Sequence, residues 1–589
     1  MNPRGEIRIL RSMFLATCTA TLLVTVGCNL DIENPNDPDA GRAFVDPAGL
    51  QQLLGGAFRT WVETRGDYWG AMPMTAMADN YTASWNNAAI RFYSSVGAEC
   101  PARCGWSNSA TAPEAAGGPS VESQWYGYYT ILSSANDVLL AVSQGLCFDS
   151  NCDSDNTLTS RNTAIAKMMQ GMAFAGIALI YDQGFVADET TDVSAPTALP
   201  FATREEVRNA ALTKFEEAWQ EAGTKTWSTP SEWMGVGSGT SYSRAQIQQI
   251  IRTMQAELIA LYPRNATENA QADWVQVADH ASQGISSGTQ FDWEFYIDVS
   301  GRQCGLDCVK TWGNSIGTMR VDTRVAAILT DNHVHPWPEA QGGNPCPTVS
   351  ADRRVGDGSW GPEDDFNGYA TEAATANAGS DFACSGVAIF PPARGQYHQS
   401  NLAHIRYNHL AYIGENLPGS DATGQDPYYT RQMNDLLWAE GLIRGGGSKT
   451  LAAEKINNSR VGRGGAGCLV PGTGGCGLTP LTGAETDEVM LAALQYEQEI
   501  EFMGQGPTPF FNRRRVEGLF TDTPRHMPVP AKELDVLQRE IYTFGGPNRP
   551  ALSIAGQSGG ATGTTHVRSV RDIWNEYRAL KHFYANRRY

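Results

Sequence analysis

Glu497, Glu499 and Glu501, followed shortly by Arg513, Arg514 and Arg515, put three carboxylates and three guanidinium groups into one short stretch. Two carboxyl groups flanking a scissile bond are what a glycosidase needs. A fold that buries charges must pair them, however, and the arginine run supplies partners. The sequence therefore assigns this cluster to ion pairs that fix the C-terminal segment. His333 and His335, and His398, His404 and His409, lack the i,i+4 spacing of a helical zinc site, which leaves them ordinary hydrogen-bonding roles. "GLIRGGGSKT" (441–450) places Ser448 rather than glycine before Lys449, in a helical context, so it is not a phosphate loop. "DSNCDSDN" and "GPEDDFNG" gather carboxylates without the ligand spacing of a calcium loop. No catalytic group, metal or cofactor is assigned.

Aromatic side chains are the more informative chemistry. A sugar presents an apolar C–H face and hydroxyl edges, so its site needs a Trp or Tyr platform beside amide and charged groups. "DYWGAMPMTAMADNYTASWNNAAIRFYSS" supplies Tyr68, Trp69, Tyr81 and Trp85 among Asn80, Asn86 and Arg91, outside any strong helical stripe. "CGWSNS" and "VKTWGNS" add Trp106 and Trp312 in cysteine-bearing loops. These nine residues are the candidate ligand site. Trp61, Trp125, Trp219 and Trp438 instead fall on apolar helical faces and are assigned to the core.

The elements that must carry this platform are helices. "DPAGLQQLLGGAFRTWVE" opens with Asp46 as cap and Pro47 at the first helical position, then repeats Leu50, Leu54, Phe58 and Trp61. "SVESQWYGYYTILSSANDVLLAV" carries Trp125, Tyr128, Ile131, Ala135 and Leu139 on one face. "AIAKMMQGMAFAGIALIYDQG" is rich in Met, Ala and Gly, which predicts a deeply buried helix approached closely by its neighbours. Thr203 with Glu206, and Ser243 with Gln246, are capping boxes that open two more helices. Paired helices of this kind predict divergent tetratricopeptide-type packing. From 291 to 412 the pattern dissolves into Gly, Pro, Asn, Asp and aromatics, a loop-rich insert of the sort that carries binding surfaces. Helices resume in "YYTRQMNDLLWAEGLIRGGGSKTLAAEKINNSRV" and "TDEVMLAALQYEQEIEFMGQG", and Pro528 and Pro530 predict an extended strap.

The leader and the cysteines place the protein in an oxidising, exported setting. Arg4, Arg8 and Arg11 precede about 15 mostly apolar residues, too few for the roughly 20 that a bilayer-crossing helix needs. They end at Val26-Gly27-Cys28, the arrangement of a lipidated cysteine. We expect a signal peptide over 1–27, lipid on Cys28 and a polar tether to 45. The formal charge of -19 excludes a nucleic-acid partner. Apart from Cys18 and Cys28, ten of the 12 cysteines remain. Proximity pairs Cys100 with Cys104, Cys147 with Cys152, Cys304 with Cys308 and Cys468 with Cys476, leaving Cys346 for Cys384.

Taken in order, "PAGLQQLLGGAFRTW", "WYGYYTILSSAN", "AKMMQGMAFAGIALIYDQGF", "LLWAEGLIRGGGSKTLAAEKINNSRVGRGG", "YEQEIEFMGQGPTPFFNRRR" and "TPRHMPVPAKEL" resemble the SusD/RagB family of surface nutrient-binding lipoproteins. Asn512 stands where that family often has aspartate. The resemblance implies a mostly α fold, a helical half over 46–290, the insert over 291–412 and a family-like C-terminal region over 413–589. It implies a non-enzymatic protein, lipid-anchored and exposed on the outer membrane. Such a protein captures a glycan or oligosaccharide and passes it to a SusC/RagA-like TonB-dependent β-barrel transporter; peptide is the alternative cargo. Two rival classes are a secreted helical polysaccharide hydrolase or lyase, distinguished by product release, and an assembly scaffold, distinguished by binding no such ligand.

Overall fold

The capping residues read from the sequence start the helices of the structure, a computed structural model. It describes residues 46–82, 90–94, 105–106, 108, 120–192, 199–297, 306–314, 319–330, 335, 350–355, 379–384, 400, 402–410, 423–465, 477–520 and 523–542. The expected leader, Cys28 and the tether up to 45 lie outside them. α1 (Pro47–Arg65) opens at the predicted proline and buries Leu50, Leu54, Phe58 and Trp61. Two short helices follow, α2 (Ala71–Met77) and α3 (Ile90–Ser94). α4 (Glu122–Ser143) buries the predicted stripe from Trp125 to Leu139. α5 (Thr157–Ile180) is long and apolar enough to cross a membrane, yet 89% of its apolar window is buried inside the protein, as befits a central core helix. α6 (Arg204–Ala222) and α7 (Arg244–Leu261) both begin with the complete capping box.

Small residues set the spacing between these helices. A methyl group added to Gly176 of α5 would sit 2.2 Å from the Tyr128 ring of α4, and one at Gly171 would sit 2.5 Å from the Phe215 ring of α6. After α8 (Ala266–Ala270) and α9 (Trp274–Ser282) the chain leaves the stack. It forms α10 (Cys308–Gly313) and α11 (Thr323–Leu329), then returns as α12 (Arg431–Arg444), α13 (Lys449–Arg460) and α14 (Asp487–Glu501). α15 (Thr508–Arg515) and α16 (Ala531–Val536) follow. Each helix of the stack packs on the next: α1 on α4, then α5, α6, α7, α9, α12, and finally α13 and α14. α9 meets α12 directly although well over a hundred residues separate them. The architecture is a mostly α stack of successively packed helices with long loops.

The strands are short: β1 (Tyr81–Thr82), β2 (Gln183–Gly184), β3 (Ala202–Thr203), β4 (Trp293–Ile297), β5 (Arg320–Val321), β6 (Phe382–Cys384), β7 (Leu402–His404) and β8 (Gly424–Tyr429). They pair antiparallel as β1–β5, β2–β3, β4–β8 and β6–β7. β4 and β8 bracket the excursion between α9 and α12, pairing from Ile297 with Gly424 to Trp293 with Tyr429 across a register shift between Trp293 and Glu294.

Buried charge fastens the pieces. Arg354 bonds Asp352 and Glu497, each at 2.8 Å, while Glu501 receives Arg406 at 2.7 Å and Arg463 at 2.5 Å. Burial alone would raise the Glu501 carboxyl; the Arg406, Arg463 and Arg354 guanidiniums outweigh it and hold it well below the usual carboxylate range. Glu499 faces Arg324 at 2.8 Å and Arg513 at 3.2 Å. The expected ion pairs therefore exist: Arg513 of the arginine run engages Glu499, and the other partners lie further away in sequence. Arg514 pairs with helix ends instead: it donates to the carbonyls of Leu179 (2.7 Å) and Leu261 (3.2 Å) in the last turns of α5 and α7. Those carbonyls carry the negative end of each helix dipole and lack intrahelical partners. Residues 523–530 lie as the predicted strap, Met527 bridging Tyr181 at the end of α5.

Two core assignments need correction. Trp219 and Trp438 are half-buried, not interior. Each is roofed by a cation, Arg252 at 4.2 Å and Lys455 at 4.4 Å from the ring centres, because a long basic side chain can cover an aromatic face while its head reaches water.

Candidate functional site

The turn after α1 and the short helix α10 bring three of the candidate aromatics together. Gly66 ends α1 against Asp307: its carbonyl accepts the Cys308 N–H at 2.9 Å, and an added methyl would lie 2.7 Å from the Asp307 Cα. Only glycine permits that approach. The following turn is held by the Asp67 carboxylate, which accepts from the Gly70 N–H at 2.5 Å and from the Ser123 hydroxyl of α4. Burial raises the Asp67 carboxyl above its ordinary range, and the hydroxyl and backbone donors oppose that shift. On this frame Tyr68 stands edge-on to Trp69 at 4.7 Å and edge-on to Trp312 of α10 at 5.0 Å. Tyr68 and Trp69 are half-buried, and Trp312 is buried beneath them. Rings fixed on one side and open on the other can take the apolar face of a ligand at little conformational cost.

Under α10 lies a charged group that sequence reading missed. Lys310, fully buried, bonds Asp426 of β8 at 2.6 Å and Asp307 at 3.2 Å, and its ammonium sits 4.3 Å from the centre of the Tyr428 ring. The Tyr428 hydroxyl donates to Asp307 at 2.9 Å. Burial, opposed by Lys310 and reinforced by Asp307, pushes the Asp426 carboxyl up to about 8. One ammonium thus serves two carboxyl groups and ties the excursion to the site. Lys310 stood two residues from the quoted Trp312, but a lone lysine in a loop carries no spacing signal. A second buried pair, Arg65 with Glu257 at 2.7 Å, lines an internal cavity with Trp61, Tyr128, Tyr429 and Phe511.

Other members of the predicted set lie elsewhere. Trp106 is fully buried in the main core, 4.9 Å from Tyr93 and 6.4 Å from Phe510. Tyr81 is likewise enclosed, its hydroxyl bonded to His404 Nδ1 at 2.5 Å and its ring against Gly313. Asn80 is buried, its carbonyl accepting the Asp322 N–H, and its carboxamide makes no hydrogen bond among the described residues. In this structure those three are interior residues rather than part of the platform's open face. Trp85, Asn86 and the side chain of Arg91 lie outside the described residues.

The remaining motifs resolve into structural roles. Ser448 accepts from the Leu451 N–H and caps α13, so the Gly-rich turn joins two helices. Cys147 and Cys152 form a disulfide, which removes both sulfurs from any metal; neighbouring Asp149 accepts from the Leu158 and Thr159 N–H groups at the start of α5. Cys308 is also disulfide-bonded. Cys100, Cys104, Cys304, Cys346, Cys468 and Cys476, and the side chain of Cys384, lie outside the described residues. His335 bonds Thr323 at 2.9 Å and His409 bonds the Gln425 carbonyl at 2.8 Å, the ordinary roles expected.

No family model matches the chain, and no curated protein does. Solved structures do match. A SusD homolog from Bacteroides thetaiotaomicron VPI-5482 aligns with a TM-score of 0.52 at 13% identity, covering 86% of this chain and 97% of its own. A SusD superfamily protein from the same organism gives 0.51 at 12% identity, covering 84% and 98%. One from Bacteroides vulgatus ATCC 8482 gives 0.50 at 13% identity, covering 84% and 97%. These matches over most of the chain show that the mostly α stack has a SusD-like fold.

Proposed function

We propose that this protein is a surface nutrient-binding lipoprotein that holds a glycan or oligosaccharide without cleaving it and passes it to a SusC/RagA-like TonB-dependent transporter. The observation that carries this reading is the rigid, half-open platform of Tyr68 and Trp69 on Trp312. Its aromatic faces suit the C–H side of a sugar ring, and Trp85, Asn86 and Arg91 remain the candidates for meeting the sugar's hydroxyls. The carboxylates that a hydrolase reading would recruit, Glu497, Glu499 and Glu501, are each engaged by guanidinium groups. Anchoring through Cys28, with 28–45 as tether, would leave the helical body at the cell surface.

The test is titration calorimetry with a panel of oligosaccharides and peptides, alongside analysis of the polymers for cleavage. Trp69→Ala should weaken the best ligand by about 1–3 kcal/mol, roughly five- to 150-fold, the scale of a truncated binding hot spot. Unchanged affinity removes the platform from the site, and released product replaces the binder with an enzyme.

A further inference from the structure

Among the described residues seven large apolar side chains are exposed, and four of them lie on segments that touch one another: Tyr126 (37%), Val186 (41%), Val536 (64%) and Ile541 (45%). Contacts between their neighbours join these segments into one face. Tyr126 of α4 lies beside Glu533 of α16, and Lys532 pairs with Glu122. One turn along α4, Tyr129 packs on Phe185 at 6.1 Å, Phe185 stacks on Phe201 at 4.6 Å, and Arg539 lies 4.6 Å above Phe201. The Tyr542 hydroxyl is held by Asp182 at 2.9 Å and Gln183 at 3.1 Å. The segment 531–542 brings Glu533, Asp535 and Glu540 against Lys532 and Arg539, and Lys532 is already spent on Glu122. An apolar patch with an acidic border therefore lies where the described chain ends.

The 47 residues after Tyr542 hold a matching segment. In "RDIWNEYRALKHFYANRRY" Ile573, Tyr577, Leu580 and Tyr584 recur at the spacing of one helix face, with Trp574 and Phe583 beside them. From Arg568 to Tyr589 six Arg and Lys face only Asp572 and Glu576, in a chain whose formal charge is -19. The 30 residues between Tyr542 and Ile573 reach at most about 100 Å even fully extended. That keeps the segment near the face at high effective concentration.

We propose that residues 571–584 dock back onto the face formed by Tyr126, Val186, Val536 and Ile541, burying their aromatic stripe on its apolar patch and setting their basic residues against its carboxylates. Hydrogen–deuterium exchange on the full chain tests this. Tyr577→Asp with Leu580→Asp should speed exchange several-fold in peptides covering 122–130, 183–187 and 531–541. Val536→Asp with Ile541→Asp, at exposed positions that leave the fold intact, should speed exchange in 571–584. Raised salt should act in the same direction as either pair. Unaltered exchange in both variants overturns the proposal. Protection that grows with protein concentration assigns the face to a second copy and overturns it as well. So does protection of 571–584 that appears only with vesicles containing phosphatidylglycerol, which would make the segment a membrane contact.

Discussion

Glu440 offers the sharpest test of how this fold spends its buried charge. It lies on α12 with no exposed surface, and its two oxygens receive the two terminal nitrogens of Arg515 at 2.6 and 2.7 Å, a bidentate pair joining α12 to α15. Arg444 Nε adds a bond at 2.7 Å and Gln498 of α14 one at 2.9 Å. Burial by itself would raise this carboxyl; Arg515 and Arg444 outweigh it and bring it to about 2 from an ordinary 4.5. That depression corresponds to about 3 kcal/mol of stability at pH 7. Because the folded value is the lower one, that contribution is complete above the unfolded carboxylate range and is lost as pH falls through 4.5 toward 2. At pH 3 less than half of it should remain. Glu440→Gln keeps the shape and removes the charge, so it should cost about 3 kcal/mol at pH 7 and less than half of that at pH 3. Denaturant unfolding followed by tryptophan fluorescence is a suitable assay, since Arg444 and Arg515 both lie over Trp274, at 5.1 and 5.5 Å. A loss under about 0.5 kcal/mol at pH 7, or one independent of pH, would refute the reasoning.

Two further perturbations probe packing and the support of the platform. Gly176→Ala drives a methyl into the buried Tyr128 ring and should lower stability by about 1–3 kcal/mol, the usual cost of overpacking, read as a fall in thermal midpoint. Lys310→Met strands Asp307 and Asp426 without their shared cation. It should cost about 3–5 kcal/mol and weaken ligand binding at Tyr68 and Trp69, whereas a stable variant with normal affinity would separate the charged group from the site.

The helices were legible because their information is local. A capping box needs four consecutive residues, and Thr203 with Glu206 and Ser243 with Gln246 start their helices where the sequence places them. The charged cluster was legible in kind but not in partner. Successive helical residues turn by about 100°, so Glu497 and Glu501, four apart, share Arg354, while Glu499 points the other way to Arg324 and Arg513. Arg513, Arg514 and Arg515 diverge likewise, reaching Glu499, helix-end carbonyls and Glu440. Closeness in sequence therefore named the right residues and could not name their contacts. Loop aromatics lacked even that much: with no periodic face, Trp106 in the core and Trp69 at the surface carry the same signal.

The platform is assembled from pieces far apart in the chain, and that sets what can change within it. Tyr68 and Trp69 ride on a turn fixed by Asp67 to α4 and by Gly66 to Asp307, and Trp312 rides on α10, which Lys310 pins to β8. None of those anchors is itself on the open face. The rings can therefore be exchanged for others without disturbing the stack, whereas the anchors cannot, since Gly66 and Lys310 are buried, Asp67 is half-buried, and each is held by a partner from another segment. Specificity in such a design is carried by exposed side chains and rigidity by hidden ones. A survey of substitutions should accordingly divide sharply: changes at Tyr68 and Trp69 altering affinity with little effect on unfolding, and changes at Gly66, Asp67 and Lys310 altering both together.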